Sequence, residues 1–238
     1  MPARRSRDLR ALAVAGLLLL LLAWNNVVIT RVPGYPASYA AVNGLAAVAL
    51  LVAARAGGLS WSDLGLARGR VRAAAAWGGA AAALVAAGYL LALALPATRP
   101  LLADERVGGR GAGELAYDVL VRIPVGTVLW EEVAFRGVLL AVLLRLTTPR
   151  AAISVSALVF GLWHVRPTAS ALAANDLADG VVVTGLALAA AVVLTAGAHV
   201  VFVWLRLRSG SLLAPVLLHL STNVLGTFAA AAATRQVG

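Results

Sequence analysis

Several runs of apolar residues, each about 20 residues long, constrain this chain more than any other feature. A helix of about 20 apolar residues crosses a hydrocarbon layer of about 30 Å and satisfies its backbone hydrogen bonds internally. Of the 238 residues, 61% are apolar and 13% are charged, whereas a soluble domain has about half and about a quarter. We therefore predict an all-α polytopic membrane protein with about seven transmembrane helices. The predicted spans are residues 11–29, 37–56, 73–95, 124–146, 151–165, 181–205 and 212–233.

These spans are expected to form one integral membrane domain over residues 1–238, because no repeat and no soluble segment separates them. Residues 1–113 hold helices without motifs, and residues 114–238 hold the motif-bearing core. Residues 114–123 combine charges with an apolar face, which is typical of an interfacial helix. We expect that helix to end at Pro124, in the first turn of the next span. The absence of cysteine excludes disulfides, thiolate metal sites and a cysteine nucleophile.

All 20 basic residues are arginines, and their distribution predicts the orientation of the chain. A cytoplasmic N-terminus places twelve of them on the cytoplasmic side and six on the other, as expected from the enrichment of basic residues in cytoplasmic loops. The net charge of +10 does not indicate nucleic acid binding, because the arginines lie in short loops and form no stripe along one helix. We expect a bacterial plasma membrane protein whose environment is the lipid bilayer. The twelve are Arg4, Arg5, Arg7, Arg10, Arg55, Arg68, Arg70, Arg72, Arg145, Arg150, Arg206 and Arg208, and the six are Arg31, Arg99, Arg106, Arg110, Arg166 and Arg235.

Charged side chains inside a span are costly and generally functional, and the densest group is Glu131, Glu132 and Arg136. Glu132 and Arg136 lie one helical turn apart, so we expect an ion pair between them. Glu131 points about 100° away in an α-helix. An apolar surround disfavours a charged carboxylate, and such a group suits a general base. A structural ion cluster that ties helices together is the other interpretation of this segment. The neighbours of Glu131 at three and four residues are Thr127, Val128, Ala134 and Phe135.

Two later spans each carry a polar pair one helical turn apart. Phe160 and His164 share a face of one span, where Gly161 allows a close helix neighbour. His219 and Asn223 share a face of the last span and are a pair that could hold an oxyanion. Either pair alone indicates little, but packing does not explain three such groups on three spans. The remaining histidine of the chain stands alone among small and apolar residues and is assigned to packing; it is His199.

The three groups, in this order and on separate helices, resemble the CAAX protease and bacteriocin-processing family of intramembrane proteases. The resemblance covers about residues 125–225. The motifs are Glu-Glu-x-x-x-Arg (Glu131, Glu132, Arg136), Phe-x-x-x-His (Phe160, His164) and His-x-x-x-Asn (His219, Asn223), with Gly137 after the first and the stretch Arg208 to Pro215 before the last.

The resemblance implies an intramembrane endopeptidase that hydrolyses a peptide bond of a membrane-associated peptide or protein without a covalent intermediate. The first carboxylate and the first histidine would activate water, while the second histidine and the asparagine would polarise the scissile carbonyl. The second carboxylate and the arginine would orient the first carboxylate. The catalytic residues implied are Glu131, His164, His219 and Asn223, with Glu132 and Arg136 as the orienting pair.

A metal is not favoured, because the sequence has no His-Glu-x-x-His, the usual helical zinc motif. Glu131, His164 and His219 are the residues that would bind zinc if one were present. No other cofactor is expected.

Three alternatives to this function stay open on the sequence. A proton-coupled transporter also places ionisable residues in spans, but paired repeats are expected there and are not seen. A rhomboid-like serine protease would use Ser211 with His219, but Ser211 would lie in a loop and Glu-Glu-x-x-x-Arg would have no role. A non-catalytic scaffold or self-immunity protein of the same fold would bind a peptide without cutting it.

Overall fold

The computed structural model describes residues 2–237, with side chains for residues 11–235, and contains no strand in that part of the chain. The predicted all-helical fold is thereby confirmed. The side chains of Arg4, Arg5, Arg7 and Arg10, on which the predicted orientation partly depends, lie outside the described residues. The first helices are α1 (Pro2–Ala23), which continues as a π-helical segment (Trp24–Val28) and a 3₁₀ turn (Ile29–Arg31), α2 (Tyr39–Ala56) and α3 (Val71–Ala94).

The next part of the chain contains one short α-helix and one long helical stretch. That stretch runs over residues 112–146 and is π-helical in two places, Asp118–Leu129 and Glu132–Leu139. The remaining α-helices are α4 (Glu105–Gly108), α5 (Ala112–Tyr117), α6 (Leu140–Leu146), α7 (Pro149–Trp163), α8 (Val165–Ala174), α9 (Gly180–Ser209), α10 (Leu213–Leu220) and α11 (Gly226–Val237), with a π-helical segment (Ser221–Leu225) between the last two.

Five helices within the described residues are long and apolar enough to cross a membrane, so the predicted count of about seven is not confirmed. The predicted fourth span lies in the long stretch that carries the buried charges. The predicted fifth span corresponds to α7, whose 15 residues rise about 22 Å, less than the hydrocarbon thickness of about 30 Å. The five candidates are residues Ala11–Arg31, Tyr39–Ala56, Arg68–Ala94, Gly180–Ser209 and Leu213–Arg235.

The predicted break at Pro124 is wrong. The helical path continues from residue 112 to residue 146, and Pro124 lies inside the π-helical segment Asp118–Leu129. Proline removes one backbone donor and disrupts α-helical bonding, but the wider π-helical turn uses different partners. The stretch therefore changes its turn type and does not end.

The loops lie on two opposite faces of the bundle, which we call the near face, where α1 begins, and the far face, where the 3₁₀ turn after α1 ends. On the near face, Arg145 Nη2 donates to Gly58 O (3.0 Å) and Arg206 Nη2 donates to Asp63 O (2.9 Å). On the far face, Asn175 Nδ2 donates to Asp104 Oδ1 at 3.2 Å. The near-face loops are residues 57–67, 147–148 and 210–212, and the far-face loops are residues 32–38, 95–111, which include the short helix α4, and 175–179.

The largest buried cluster surrounds the middle of the long helical stretch and contacts α1, α2, α7 and α9. Its largest members are aromatic, and Phe135 contacts both Phe160 (4.9 Å between ring centres) and Trp163 (5.2 Å) edge to face. Small residues let the helices approach: a Cβ at Gly161 would lie 2.6 Å from Val192 O of α9. The close neighbour predicted at Gly161 is thus confirmed. This packing fixes the spacing between the helices that carry the polar side chains.

Candidate active site

Of the six predicted site residues, five lie at irregular places in the helices, and His219 lies in the regular helix α10. Glu131 lies between the two π-helical segments of the long stretch, and Asn223 lies inside a third one. Such segments occur frequently at functional sites, because the wider turn changes the direction of side chains. His164 was predicted inside a span, but it stands between α7 and α8 with φ −90° and ψ 1°. It caps α7 because the 15-residue helix ends one residue before it.

A buried ion cluster contains Glu132, Arg136 and His219. Arg136 Nη1 donates to Glu132 Oε1 at 3.0 Å, which confirms the predicted ion pair, and His219 Nδ1 donates to the same oxygen at 2.8 Å. Glu132 and Arg136 have no exposed surface. The guanidinium carbon of Arg136 lies 4.1 Å from the ring centre of Phe160 and 4.5 Å from that of Phe202. The cluster therefore connects the long stretch to α7, α9 and α10.

Glu131 faces both motif histidines. Its Oε1 accepts a hydrogen bond from Trp163 Nε1 at 3.0 Å. Its Oε2 lies 4.0 Å from His164 Nε2 and 3.9 Å from His219 Nε2, and among the described side chains no donor binds it. The predicted apolar surround of Glu131 is therefore wrong. The neighbours of Glu131 on its own helix are nearly all apolar, as predicted. Neighbouring helices, however, supply three polar groups around its carboxylate, and residue spacing along a single helix does not reveal them.

The hydrogen bonds at Nδ1 define the chemistry at Nε2 of each histidine. A carbonyl oxygen only accepts, so His164 Nδ1 carries the hydrogen that is donated to Phe160 O at 2.8 Å. In the neutral ring, Nε2 of His164 then presents a lone pair towards Glu131. His219 Nδ1 likewise donates to the Glu132 carboxylate. Both rings thus have a fixed orientation with Nε2 directed towards Glu131.

A polar cavity of about 490 Å³ brings the remaining motif residues together. Glu131, His164, His219 and Asn223 all line it, whereas Glu132 and Arg136 lie behind its wall. His164 retains 24% side-chain exposure, against 4% for Glu131. The other lining residues are Asn25, Ile29, Thr30, Tyr35, Tyr39, Arg106, Arg122, Thr127, Arg166, Pro167 and Ser170.

Two asparagines just after α1 also hold the site, and they are not among the residues predicted from the motifs. Asn26 Nδ2 donates to Leu162 O (3.0 Å), and Asn26 Oδ1 accepts from Arg166 N (3.0 Å). Asn25 Nδ2 donates to Trp163 O at 3.3 Å. These bonds fix the turn around His164. The signal available in the sequence was a pair of amides at the end of an otherwise apolar span.

The cavity wall between α2 and the long stretch is held by a further polar contact. The hydroxyls of Tyr39 and Thr127 lie 3.2 Å apart, and a Cβ at Gly126 would lie 2.7 Å from the Tyr39 ring. Asn43, which is fully buried, donates to Gly126 O at 2.7 Å. These contacts position the helical turn that precedes Glu131.

Two further polar residues, His199 and Ser211, lie away from the cavity. His199 is fully buried and its Nε2 lies 2.9 Å from Ser156 Oγ, in keeping with the packing role assigned to it. Ser211 Oγ accepts from Leu213 N at 3.2 Å, at the start of α10. Neither lines the cavity. The contact of Ser211 is a local helix-start bond and not that of a nucleophile.

The two histidines and Glu131 do not fit zinc in this arrangement. Zinc lies about 2.0 to 2.1 Å from nitrogen and oxygen ligands, so two ligand atoms of a tetrahedral site are about 3.3 Å apart. The separations of 4.0 and 3.9 Å from Glu131 Oε2 exceed this value. The described part of the chain contains no group of three or more acidic, histidine or cysteine side chains arranged for a metal.

Fold and site together define a helical membrane protein with a carboxylate and two histidines around a polar cavity. A family model described as Type II CAAX prenyl endopeptidase, Rce1-like, matches residues 115–225. This segment therefore belongs to the CAAX protease and bacteriocin-processing family, as the three motifs predict, and it contains all seven motif residues. Comparisons with curated proteins and with solved structures found no match.

Proposed function

We propose that this chain is an intramembrane endopeptidase, similar to CAAX prenyl proteases, that hydrolyses a peptide bond of a membrane-associated peptide or protein. One observation carries the proposal. Glu131 Oε2, a buried oxygen without a protein donor, faces Nε2 of both His164 and His219 at 4.0 and 3.9 Å in the wall of a polar cavity. The match to a prenyl endopeptidase family supports the same reaction class.

Water activation follows from the first of these distances. Two atoms 4.0 Å apart can both lie about 2.8 Å from one water oxygen, a normal hydrogen-bond length. Glu131 and the lone pair of His164 Nε2 would accept the two hydrogens of that water. Its oxygen attacks the scissile carbonyl carbon, one proton moves to Glu131, and that proton is then transferred to the leaving amine as the carbon–nitrogen bond breaks. No covalent intermediate with the enzyme is needed.

The oxyanion would be held by His219 and Asn223. His219 already donates from Nδ1 to Glu132, so it can donate from Nε2 only when the ring is protonated. The amide of Asn223, on the wall of the same cavity, would supply the second donor.

The long apolar helices support a membrane location, and we propose the plasma membrane of a bacterium as the natural environment. A protein of this fold that only binds a peptide would need neither an unpaired Glu131 oxygen nor two oriented histidines. A proton-coupled transporter is disfavoured by the match to a peptidase family. Both alternatives predict no hydrolysis in the following experiment.

Hydrolysis can be tested with the purified full-length chain in detergent and a library of fluorogenic peptides, with and without a lipid anchor. We expect cleavage by the wild type and by the matched control Glu105→Gln, since Glu105 is exposed and lies outside the cavity. Glu131→Gln should remove at least about a hundredfold of the rate, the usual contribution of a general base. Equal cleavage by Glu131→Gln and the wild type would contradict the proposal, and so would the absence of cleavage by a correctly folded wild type.

Metal dependence is tested separately. Because the site distances do not fit zinc, we propose that water is activated without a metal and that no cofactor is used. Extensive treatment with EDTA or phenanthroline should then leave the cleavage rate unchanged, and metal analysis should find no stoichiometric zinc. If chelation abolishes cleavage and zinc restores it, Glu131, His164 and His219 must be reassigned as ligands.

A further inference from the structure

A second polar cavity, of about 350 Å³, lies beside the cavity that Glu131 and the two motif histidines line. The two cavities share three lining residues, Arg106, Arg122 and Asn223. Because Asn223 is the proposed oxyanion donor, the second cavity begins where the scissile carbonyl would lie. Its volume falls within the range of about 300 to 1,000 Å³ that is usual for small-ligand pockets. We call it the arginine cavity.

The arginine cavity carries more positive than negative side chains. Arg166 adds a further positive charge to the adjoining cavity, where it is exposed and belongs to none of the ion pairs between the described side chains. The boundary between the two cavities is therefore cationic and suits an anionic ligand. The charged lining of the arginine cavity consists of three arginines and two aspartates, namely Arg106, Arg110, Arg122, Asp104 and Asp118.

The two aspartates do not satisfy all three arginines. Asp104 pairs with Arg106, whereas Asp118 is shared between two guanidinium groups. Asp118 contacts Arg110 closely, but its Oδ1 lies 3.6 Å from Arg122 Nη1, which is beyond a normal hydrogen bond. The side chain of Arg122 retains 34% exposure, against 7% for Asp118. A structural ion cluster thus accounts for Arg110, but it leaves Arg122 with donors that no group in the described part of the chain accepts.

Tyr39 and Asp118 hold Arg122 at the boundary between the cavities. The guanidinium carbon of Arg122 lies 5.3 Å from the ring centre of Tyr39, a cation–π contact. Asp118 lies four residues earlier on the same helical stretch and attracts the guanidinium from the other cavity. A guanidinium presents several N–H donors in one plane and binds a carboxylate through two parallel hydrogen bonds. The position of Arg122 therefore suits a peptide carboxylate close to the scissile bond.

We infer that the arginine cavity is an anion subsite, in which Arg122 and Arg106 bind a carboxylate of the substrate. That carboxylate belongs to an acidic side chain or to the C-terminus of the peptide, which share the same chemistry. The inference rests on the proposed function, because it takes a peptide as the ligand. Tyr39 and Arg106 precede the matched family segment, residues 115–225, so that segment alone does not define the subsite.

Four versions of one cleaved peptide distinguish the two sources of the carboxylate. The peptide carries either glutamate or glutamine beside the scissile bond, on each side in turn, and has either a free or an amidated C-terminus. Values of kcat/KM are measured with the purified full-length chain in detergent. The variants are Arg122→Gln and the matched control Arg150→Gln, since Arg150 is exposed and lines neither cavity.

We expect the wild type to prefer a carboxylate-bearing version over the fully neutral one by about tenfold or more in kcat/KM, as is usual for hydrogen bonds to a charged group. Arg122→Gln should lose this preference and still cleave the neutral version at nearly the wild-type rate, while Arg150→Gln should keep it. If Arg122→Gln does not fold, Arg106→Gln tests the same subsite, because Arg106 is exposed. Equal kcat/KM of the wild type for all four versions overturns the inference. An equal loss on every version in Arg122→Gln would show a structural role only and would overturn it as well.

A binding measurement separates this inference from the proposed function. The full-length Glu131→Gln chain in detergent is titrated calorimetrically with matched acidic and neutral library peptides. Tighter binding of the acidic peptide by about tenfold, lost when Arg122→Gln is added, supports the subsite. Equal binding of both peptides overturns it, and displacement of both by phosphatidylglycerol would assign the arginines to a lipid headgroup. If the wild type cleaves no peptide, the proposed function fails, and this titration alone decides the subsite.

Discussion

At the scale of single residues, the two adjacent carboxylates have different environments. Glu132 binds Arg136 and His219 through one oxygen and is fully buried, whereas Glu131 binds Trp163 through one oxygen and leaves the other directed at two histidines. The sequence shows two identical side chains next to each other. In the structure, two side chains bind the Glu132 carboxylate, whereas one oxygen of Glu131 accepts no hydrogen bond from the described residues. This difference supports separate roles for the two carboxylates.

These environments predict opposite results for two conservative substitutions. Glu131→Gln should abolish hydrolysis and leave thermal stability near that of the wild type, because the amide oxygen still accepts from Trp163 and only basicity is lost. Glu132→Gln should lower the free energy of unfolding by about 3 to 5 kcal/mol, the usual loss when a buried ion pair keeps one charge. Thermal unfolding and peptide cleavage on the same samples measure both effects.

The matched control is the double variant Glu132→Gln with Arg136→Gln, which removes the unpaired charge and should regain part of the stability. Glu131→Gln with full turnover would contradict the assignment of the base. A Glu132→Gln variant that is as stable as the wild type but inactive would transfer that role to Glu132.

At the scale of helices, turn type and close packing decide where the motif residues lie. The π-helical segments at Trp24–Val28, Asp118–Leu129, Glu132–Leu139 and Ser221–Leu225 all belong to helices that line or support the cavity. A regular α-helical period underlies the predicted direction of Glu131, and that period does not hold on either side of it. Close packing between adjacent helices depends on glycines at the contact positions.

Gly161 offers a test of this spacing. A Cβ there would lie 2.6 Å from Val192 O, so Gly161→Ala forces α7 away from α9 and moves His164, three residues later. We expect a loss of about 1 to 3 kcal/mol in the free energy of unfolding, as for other overpacked sites, and slower cleavage.

The matched control is Gly197→Ala in α9, where a Cβ would meet no atom within 4 Å. It should leave stability unchanged or raise it by up to about 1 kcal/mol, because alanine is the better helix former. Thermal unfolding in detergent compares the two variants. Equal stability of Gly161→Ala and Gly197→Ala would show that the α7–α9 contact is not tight.

At the scale of the whole molecule, the near face is held together by a small polar network around Asp63. Ser60 donates to its carboxylate through both hydroxyl and backbone amide, and Arg145 Nη2 donates at 2.8 Å from the end of the long helical stretch. Arg206 of α9 binds the Asp63 carbonyl. One loop thus connects elements far apart in the sequence.

This network predicts an acid-sensitive contribution to stability. Hydrogen bonds from Ser60, followed by the charge of Arg145, hold the pKa of Asp63 below its ordinary value of 3.8. A carboxyl group with a lowered folded-state pKa stabilises the fold above its unfolded pKa, and this contribution is lost as the pH falls through the folded-state pKa. Asp63→Asn should therefore be less stable than the wild type at neutral pH, with the difference closing under acid.

Thermal unfolding from neutral pH to about pH 3 measures this convergence. Asp179→Asn is the control, because Asp179 is exposed and its side chain makes no helix-capping bond; it should follow the wild type throughout. A constant difference between Asp63→Asn and the wild type at all pH values would exclude the contribution of the Asp63 charge.

The sequence by itself determined the helical membrane fold, the family of residues 115–225 and the Glu132–Arg136 pair. Apolar runs of bilayer length have few ways to satisfy their backbone, and residues one turn apart on a helix must be neighbours. The sequence did not determine the uninterrupted helix through Pro124, the position of His164 between two helices or the polar surround of Glu131. These features depend on turn type and on groups from other helices, such as Trp163 and Asn26. Such contacts join residues more than 30 positions apart, so only the tertiary structure, through the packing of one helix against another, decided them.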